Sequence, residues 1–221
     1  QIDALGVCGG NCLGDFDGDG ICDYAGEGPC DGLDVLTYQG VDYDIVEIGG
    51  RCWFADDLAV THYQNGTPIP TSALTQWEDF DDSFTGAYFE VDPDSPGGGF
   101  SYNWYSLQAY GGLCPVGWHV PSLEEYEELL LAVYNEFDNA LSGWEGVQFS
   151  LKSSDVFDGD NASGFDASPS VRVWSNLNGS QLQLTSSYIW TSSPSSSSQS
   201  WAFRVNAGSS NQTSSGQFKD Q

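Results

Sequence analysis

Asp15, Asp17 and Asp19 stand at alternate positions and are followed by Gly20, Ile21 and, two residues further, Asp23. Carboxylates in the first, third and fifth places of a curling loop offer hard oxygens, and calcium collects about six to eight of these. Gly20 permits the sharp turn that such a loop needs, and Ile21 offers its backbone carbonyl. Gly26 occupies the place where a bidentate glutamate usually closes the shell, and Glu27, one residue later, or Asp31 would substitute. An ordinary Asp-Gly turn would require no such register. The expectation is a calcium site built by Asp15, Asp17, Asp19, Ile21, Asp23 and Glu27.

Cysteines surround that loop. Cys8, Cys12, Cys22 and Cys30 fall within the first 30 residues, with Cys52 and Cys114 far behind. Their spacings lack a repeated C-x2-C and no histidine lies nearby, which disfavours zinc. An even number of cysteines suits disulfides in an oxidising compartment. The four early ones are expected to pair among themselves, with Cys12–Cys22 and Cys8–Cys30 preferred, because a segment so poor in core needs staples.

Elsewhere the chemistry is thin. His62 and His119 are the only histidines, and neither sits in a nucleophile-elbow context. His119 reads as a buried histidine bonded to backbone, and Trp118 as core. Glu78, Asp79, Asp81 and Asp82 form a charge run, which is ordinarily a solvated face. Gly97–Gly99 lacks the Lys-Ser/Thr of a phosphate cradle. Asp155, Asp158, Asp160 and Asp166 form a second acidic group without a defined ligand register. An enzyme is not expected.

The elements that must position these residues follow from pattern and charge. The chain has 221 residues, 32 acidic against 5 basic, a net charge of −27, and 39% apolar residues. That charge excludes nucleic acid and anionic lipid as partners, and the apolar content excludes a disordered chain. No apolar run is long enough to enter a membrane. Ser122 followed by Glu125 is a capping box, and Leu123, Tyr126, Leu129, Leu130, Val133, Tyr134 and Phe137 recur at helical spacing behind it. Short strands are expected at Tyr43–Ile48, Arg51–Phe54, Gly86–Val91, Phe100–Tyr105, Val171–Trp174, Ser187–Thr191 and Trp201–Val205. One main helix among short antiparallel strands is an α+β pattern. Asn178–Gly179, Ser195–Ser200 and Ser209–Ser215 read as polar loops on that scaffold.

Two resemblances organise these segments. Residues from about Leu5 to Cys30 resemble the calcium-and-disulfide loops of thrombospondin type 3 and dockerin modules, which implies a structural calcium in a small module spanning 1–40. From there on, Ile48-Gly-Gly-Arg-Cys-Trp-Phe-Ala-Asp-Asp-Leu58, Tyr102-Asn-Trp-Tyr105, Gly112-Leu-Cys-Pro-Val-Gly-Trp-His-Val-Pro-Ser122 and Ile189-Trp-Thr-Ser-Ser193 follow in order. This succession resembles the Fibrobacter succinogenes major paralogous domain family of secreted bacterial proteins, and it implies a C-type-lectin-like domain over 41–221. In that family a Gly-Phe-Ser-Val-Arg-Cys strand usually closes the domain, and the chain stops at Lys219-Asp220-Gln221 where it would begin. The sequence therefore reads as processed, or as a segment of something longer, with an open sheet edge near Trp201–Val205. Cys52 and Cys114 are left to pair with each other, although a cysteine in the missing strand would compete for Cys114.

The resemblance also implies a function. The calcium-bridged sugar tripeptides of lectins are absent, so ligand contact would fall to Trp174, Asn176, Trp190 and Trp201 and the polar loops around them. The expectation is a non-catalytic binding or adhesion module, extracellular or on the cell surface, whose partner is a surface glycan, a surface protein or another copy of itself. The alternative is a structural subunit of an extracellular filament or surface assembly.

Overall fold

The computed structural model describes residues 12–14, 24–25, 30, 32–71, 84–91, 99–137, 143–170, 172–176, 179–183, 186–196, 199–206 and 214–218. Strands β1 (Cys12–Gly14) and β2 (Tyr24–Ala25) pair antiparallel, so Gly14 and Tyr24 face each other. A meander follows, in which β3 (Val35–Tyr38), β4 (Val41–Ile48) and β5 (Arg51–Phe54) lie in that order. The turn between β4 and β5 uses Gly49 and Gly50 at φ 62 and 71, a region open to glycine. Gly49 has a second reason to be glycine: a Cβ there would come within 2.7 Å of the Ala132 Cβ.

Next come β6 (Tyr88–Val91) paired with β7 (Gly99–Tyr102), then helix α1 (Trp104–Gln108). The expected strand over Phe100–Tyr105 therefore ends at Tyr102. Asn103 breaks it by capping α1, its side chain accepting from the Ser106 backbone N–H. Helix α2 spans Leu123–Glu136 with Ser122 as N-cap and a complete capping box with Glu125. A third helix, α3 (Gly143–Leu151), has no counterpart in the sequence reading. Two glycines in nine residues weaken its propensity, and burial of Val147, Gln148, Ser150 and Leu151 compensates.

Finally β8 (Arg172–Asn176) pairs with β9 (Gly179–Gln183), and β10 (Ser186–Pro194), β11 (Gln199–Asn206) and β12 (Ser214–Phe218) form a sheet in chain order. The fold is α+β, built from short antiparallel sheets and few helices. Among the described residues no helix is long and apolar enough to cross a membrane.

One core holds α2 and α3 on β4, β5 and β11. Tyr126, Leu129, Leu130 and Val133 of α2 meet Ile48, Trp53, Phe165, Phe203 and Val205 there. A smaller cluster gathers Val60, Tyr63, Ile69, Tyr88 and Leu113. Burying such side chains stabilises by about 1.5–3 kcal/mol each before entropy is counted.

Three expectations need correction. Cys30 bonds to Cys52 with Cα atoms 5.4 Å apart, so neither Cys8–Cys30 nor Cys52–Cys114 forms. The reason lies in the meander: Ile45 N–H donates to the Asp34 carbonyl, and the turn closed by Leu33 N–H on the Cys30 carbonyl carries Cys30 across to β5. Cys114 is a free thiol. The edge at Trp201–Val205 is also not open, because Trp201, Ala202 and Phe203 pair with Gly216, Ser215 and Ser214 of the chain's own β12.

The bridge closes a loop of sequence separation 22, for which chain entropy predicts about 3 kcal/mol of stabilisation. Cys52→Ser should lower the unfolding free energy by about that amount in urea titration. Cys114→Ser should cost much less, and an equal cost for both would contradict the pairing.

Candidate functional site

The hairpin β10–β11 carries two of the four aromatic and amide residues expected to meet a ligand. Trp190 and Trp201 are half-buried on it, while the side chains of Trp174 and Asn176 lie outside the described residues. The Trp190 indole N–H donates to the Tyr102 carbonyl at 3.0 Å, which fixes the ring against β7.

Hydroxyls along this hairpin are turned inward more than the serine-rich sequence suggests. Thr191 Oγ1 donates to the Trp201 carbonyl at 2.9 Å and Ser200 Oγ to the Ser193 carbonyl at 2.9 Å. Thr191 and Ser200 are completely buried. Ser193 Oγ accepts from the Leu123 backbone N–H at 3.1 Å, and Ser192 N–H donates to the Pro121 carbonyl at 2.9 Å. The hydroxyls thus satisfy backbone groups that a sharp hairpin would leave unpaired, and they tie it to the start of α2. Among the described residues of the tip, Pro194, Ser195 and Ser196 are exposed.

Beside that tie stands a charged cluster the sequence did not announce. Glu125 accepts from the Ser122 backbone N–H at 2.8 Å, from His119 Nε2 at 2.9 Å and from Arg51 Nη1 at 3.0 Å. Arg51 also bonds Glu128 through Nε and Nη2. Desolvation raises the Glu125 carboxyl, but the Ser122 N–H and His119 outweigh it and hold the group below its ordinary value. His119 is therefore not a core histidine: its side chain is 67% exposed and serves the cap. Trp118 is half-buried, with its ring 4.5 Å from that of Phe54. His62 Nδ1 lies 2.9 Å from Thr61 Oγ1.

Across the meander, carboxylates crowd one another. Asp57 is pushed up by desolvation and then by Asp56 and Asp166, although the residue as a whole keeps open surface. Asp166 is also raised, by desolvation and then by Asp155, Asp56 and Asp44. Its Oδ1 accepts from Asn161 Nδ2 at 2.9 Å, and Asp155 accepts from Ser153 Oγ. Among the described residues no three of His, Cys, Asp and Glu converge on a metal-sized site. The sequence-predicted calcium ligands Asp15, Asp17, Asp19, Ile21, Asp23 and Glu27 lie outside the described residues, as do Cys8 and Cys22. Burial pushes the Cys114 thiol up to about 11, which makes it a poor nucleophile at neutral pH.

Desolvation, reinforced by neighbouring carboxylates, gives a pH signature with a defined sign. A carboxyl whose folded pKa is raised costs nothing when neutral in both states, and the cost grows as pH rises through the window between the two values. For Asp57 that window runs from 3.8 to about 6. Asp57→Asn should therefore raise the melting temperature at pH 7 and leave it unchanged below pH ~4. A variant that is less stable at pH 7 would contradict the raised Asp57 carboxyl.

No curated protein and no solved structure matches the chain. A family profile does match it over residues 46–219, which takes in β5, both cores, the cap cluster and the whole β10–β11–β12 sheet. The chain belongs to the Fibrobacter succinogenes major domain family.

Proposed function

We propose that this protein is a non-catalytic binding module displayed outside the cell, with a C-type-lectin-like head and a calcium-stabilised N-terminal segment. The observation that carries this reading is the hairpin β10–β11, a polar tip on a braced support. Its buried hydroxyls are engaged with backbone groups, and Pro194 and Ser195 are exposed beside them. A loop held this way loses little conformational entropy when it meets a partner. Half-buried Trp190 and Trp201 flank it and suit stacking on a sugar ring.

The titratable groups around the hairpin support binding over turnover. His119 and Glu125 are occupied by the helix cap and by Arg51, an arrangement that positions an element. The Cys30–Cys52 bridge suits an oxidising compartment and so a secreted or surface-exposed protein. Calcium enters through the Asp15–Asp23 register, which is flanked by Gly14 and Tyr24, paired with each other in β1–β2.

A structural subunit of a surface assembly is the second reading. The observation favouring it is that β12 has β11 as its one described neighbour, so its other side is where a further strand would add.

The test is binding of the whole chain to an immobilised panel of neutral surface glycans in millimolar calcium. Saturable binding should appear without release of product, and Trp201→Ala should weaken it about tenfold, the loss of one stacking contact. Chelation should lower the melting temperature, as expected when a bound ion is withdrawn from the folded state. Product release on any glycan, or binding indifferent to Trp201→Ala, would overturn the reading.

A further inference from the structure

Phe84 stands at φ 53, in the left-handed region that a bulky side chain adopts only under strain. Its residue is nevertheless 72% exposed. Burial does not offset that strain, so the ring is held outward at a cost, which points to a contact outside the chain.

The segment that carries Phe84 is firmly placed. Asn103 Nδ2 donates to the Thr85 carbonyl at 2.8 Å, and Asn103 Oδ1 accepts from the Ala87 N–H at 3.0 Å. Between them Gly86 lies so close to helix α1 that a Cβ would come 2.8 Å from the Ser106 Cα. The 84–87 stretch is thus pressed onto α1, and the Phe84 ring meets Tyr105 edge to face, with centroids 5.4 Å apart and planes at 86°. Tyr105 is half-buried, and Gln108, three residues on along the same helix face, is exposed. Two fixed rings with an amide close by suit a sugar, whose C–H face lies on an aromatic while its hydroxyls bond the amide.

This surface adjoins the hairpin of the binding reading. The rings of Tyr105 and Trp104 lie 6.0 Å apart, and the Trp104 indole N–H donates to the Thr191 carbonyl of β10 at 3.2 Å. Charge narrows the partner. In a chain with 32 carboxylates, neither Phe84–Phe89 nor Ser95–Trp118 contains an Asp, Glu, Lys or Arg. A cationic partner would seek the carboxylates elsewhere, and a second copy would bring a charge of −27 against −27. A neutral sugar meets neither obstacle.

We propose that Phe84, Tyr105 and Gln108 form a second sugar subsite, taking a further ring of a neutral oligosaccharide that is also held at the β10–β11 hairpin. The proposal rests on the binding reading above and makes its ligand a chain of neutral sugars. Phe84 is then a contact residue, and the strained backbone keeps its ring pointed at the ligand instead of folded away.

Isothermal titration of the whole chain in millimolar calcium tests this, with malto-oligosaccharides, galacto-oligosaccharides and N-acetylglucosamine oligomers, each as a length series from the monosaccharide. Affinity should rise with length in the series that binds. Phe84→Gly should remove that rise, weakening the longer members about tenfold and leaving the shortest binder unchanged. Gln108→Ala should weaken the longer members by a smaller factor. Glycine fits a positive φ, so Phe84→Gly should melt no lower than the parent chain. A lower melting temperature would make the ring a structural one and overturn the proposal. Affinity that ignores length, or a Phe84→Gly variant that weakens every length equally or none, would also overturn it. Self-association abolished by Phe84→Gly, with no sugar bound, would assign the patch to a second copy instead. Binding that Trp201→Ala weakens and Phe84→Gly does not would defeat the subsite alone, and no saturable binding in any series would defeat both it and the adhesion reading.

Discussion

The stacking of Tyr126 on Phe203 joins the parts of this protein that are far apart in sequence. The rings lie 4.4 Å apart and within 4° of parallel, bringing helix α2 down on the middle strand of the C-terminal sheet. Trp53 and Phe165 close around them, at 5.7 Å from Tyr126 and 6.4 Å from Phe203 respectively. Trp53 is fixed in turn by its indole N–H, which donates to the Ile48 carbonyl. Aromatic pairs contribute about 0.5–1.5 kcal/mol beyond their buried area, and here they join the meander, the helix, the 152–167 loop and β11. Tyr126 is so enclosed that its phenol is pushed well above the ordinary range.

Polar residues do the complementary work of ending and joining elements. Tyr102 Oη donates to the Val60 carbonyl and accepts from the Val60 N–H, pinning a strandless stretch to β7. Asn103 accepts from Ala87 and Ser106 and donates to the Thr85 carbonyl, so one buried amide joins the 85–87 stretch to the start of α1. Glu125 does the same at the surface for the cap, the His119 loop and the β4–β5 turn. Arg51 and Glu128 are both about half exposed, so that pair adds little stability and serves mainly to orient. The serines of the β10–β11 hairpin belong to this pattern, since the hydroxyls of Ser193 and Ser200 are structural.

Much of this was legible in the residues. The Ser122–Glu125 box and the spacing from Leu123 to Phe137 announced α2 to within a residue, because capping and periodicity are local. The Gly49–Gly50 turn and the strands around it were local as well. Helix α3 was not legible, since its glycines argue against it and only burial against β11 argues for it. The end of β7 at Tyr102 was missed because Asn103 reads equally as loop or cap until Thr85 and Ala87 are beside it. Cys30–Cys52 was misassigned because pairing by proximity in sequence ignores the meander that carries Cys30 to β5. Of the candidate site, the two strands of the hairpin were legible in part, at Ser187–Thr191 and Trp201–Val205. The inward turn of Thr191 and Ser200 was not, because hydroxyl direction depends on which backbone groups the sheet leaves unpaired.

The stability of the family domain comes from the α2–β11 core, and the proposed role of calcium is to order the N-terminal segment. Native-state hydrogen exchange on the whole protein, with calcium and after chelation, tests both most directly. The amides of α2, β10 and β11 should exchange only through global unfolding in both conditions. Those of Cys12–Gly14 and Tyr24–Ala25 should be protected in calcium and should lose that protection on chelation. Exchange of β10 and β11 within seconds, or protection at β1 and β2 that calcium does not change, would contradict it.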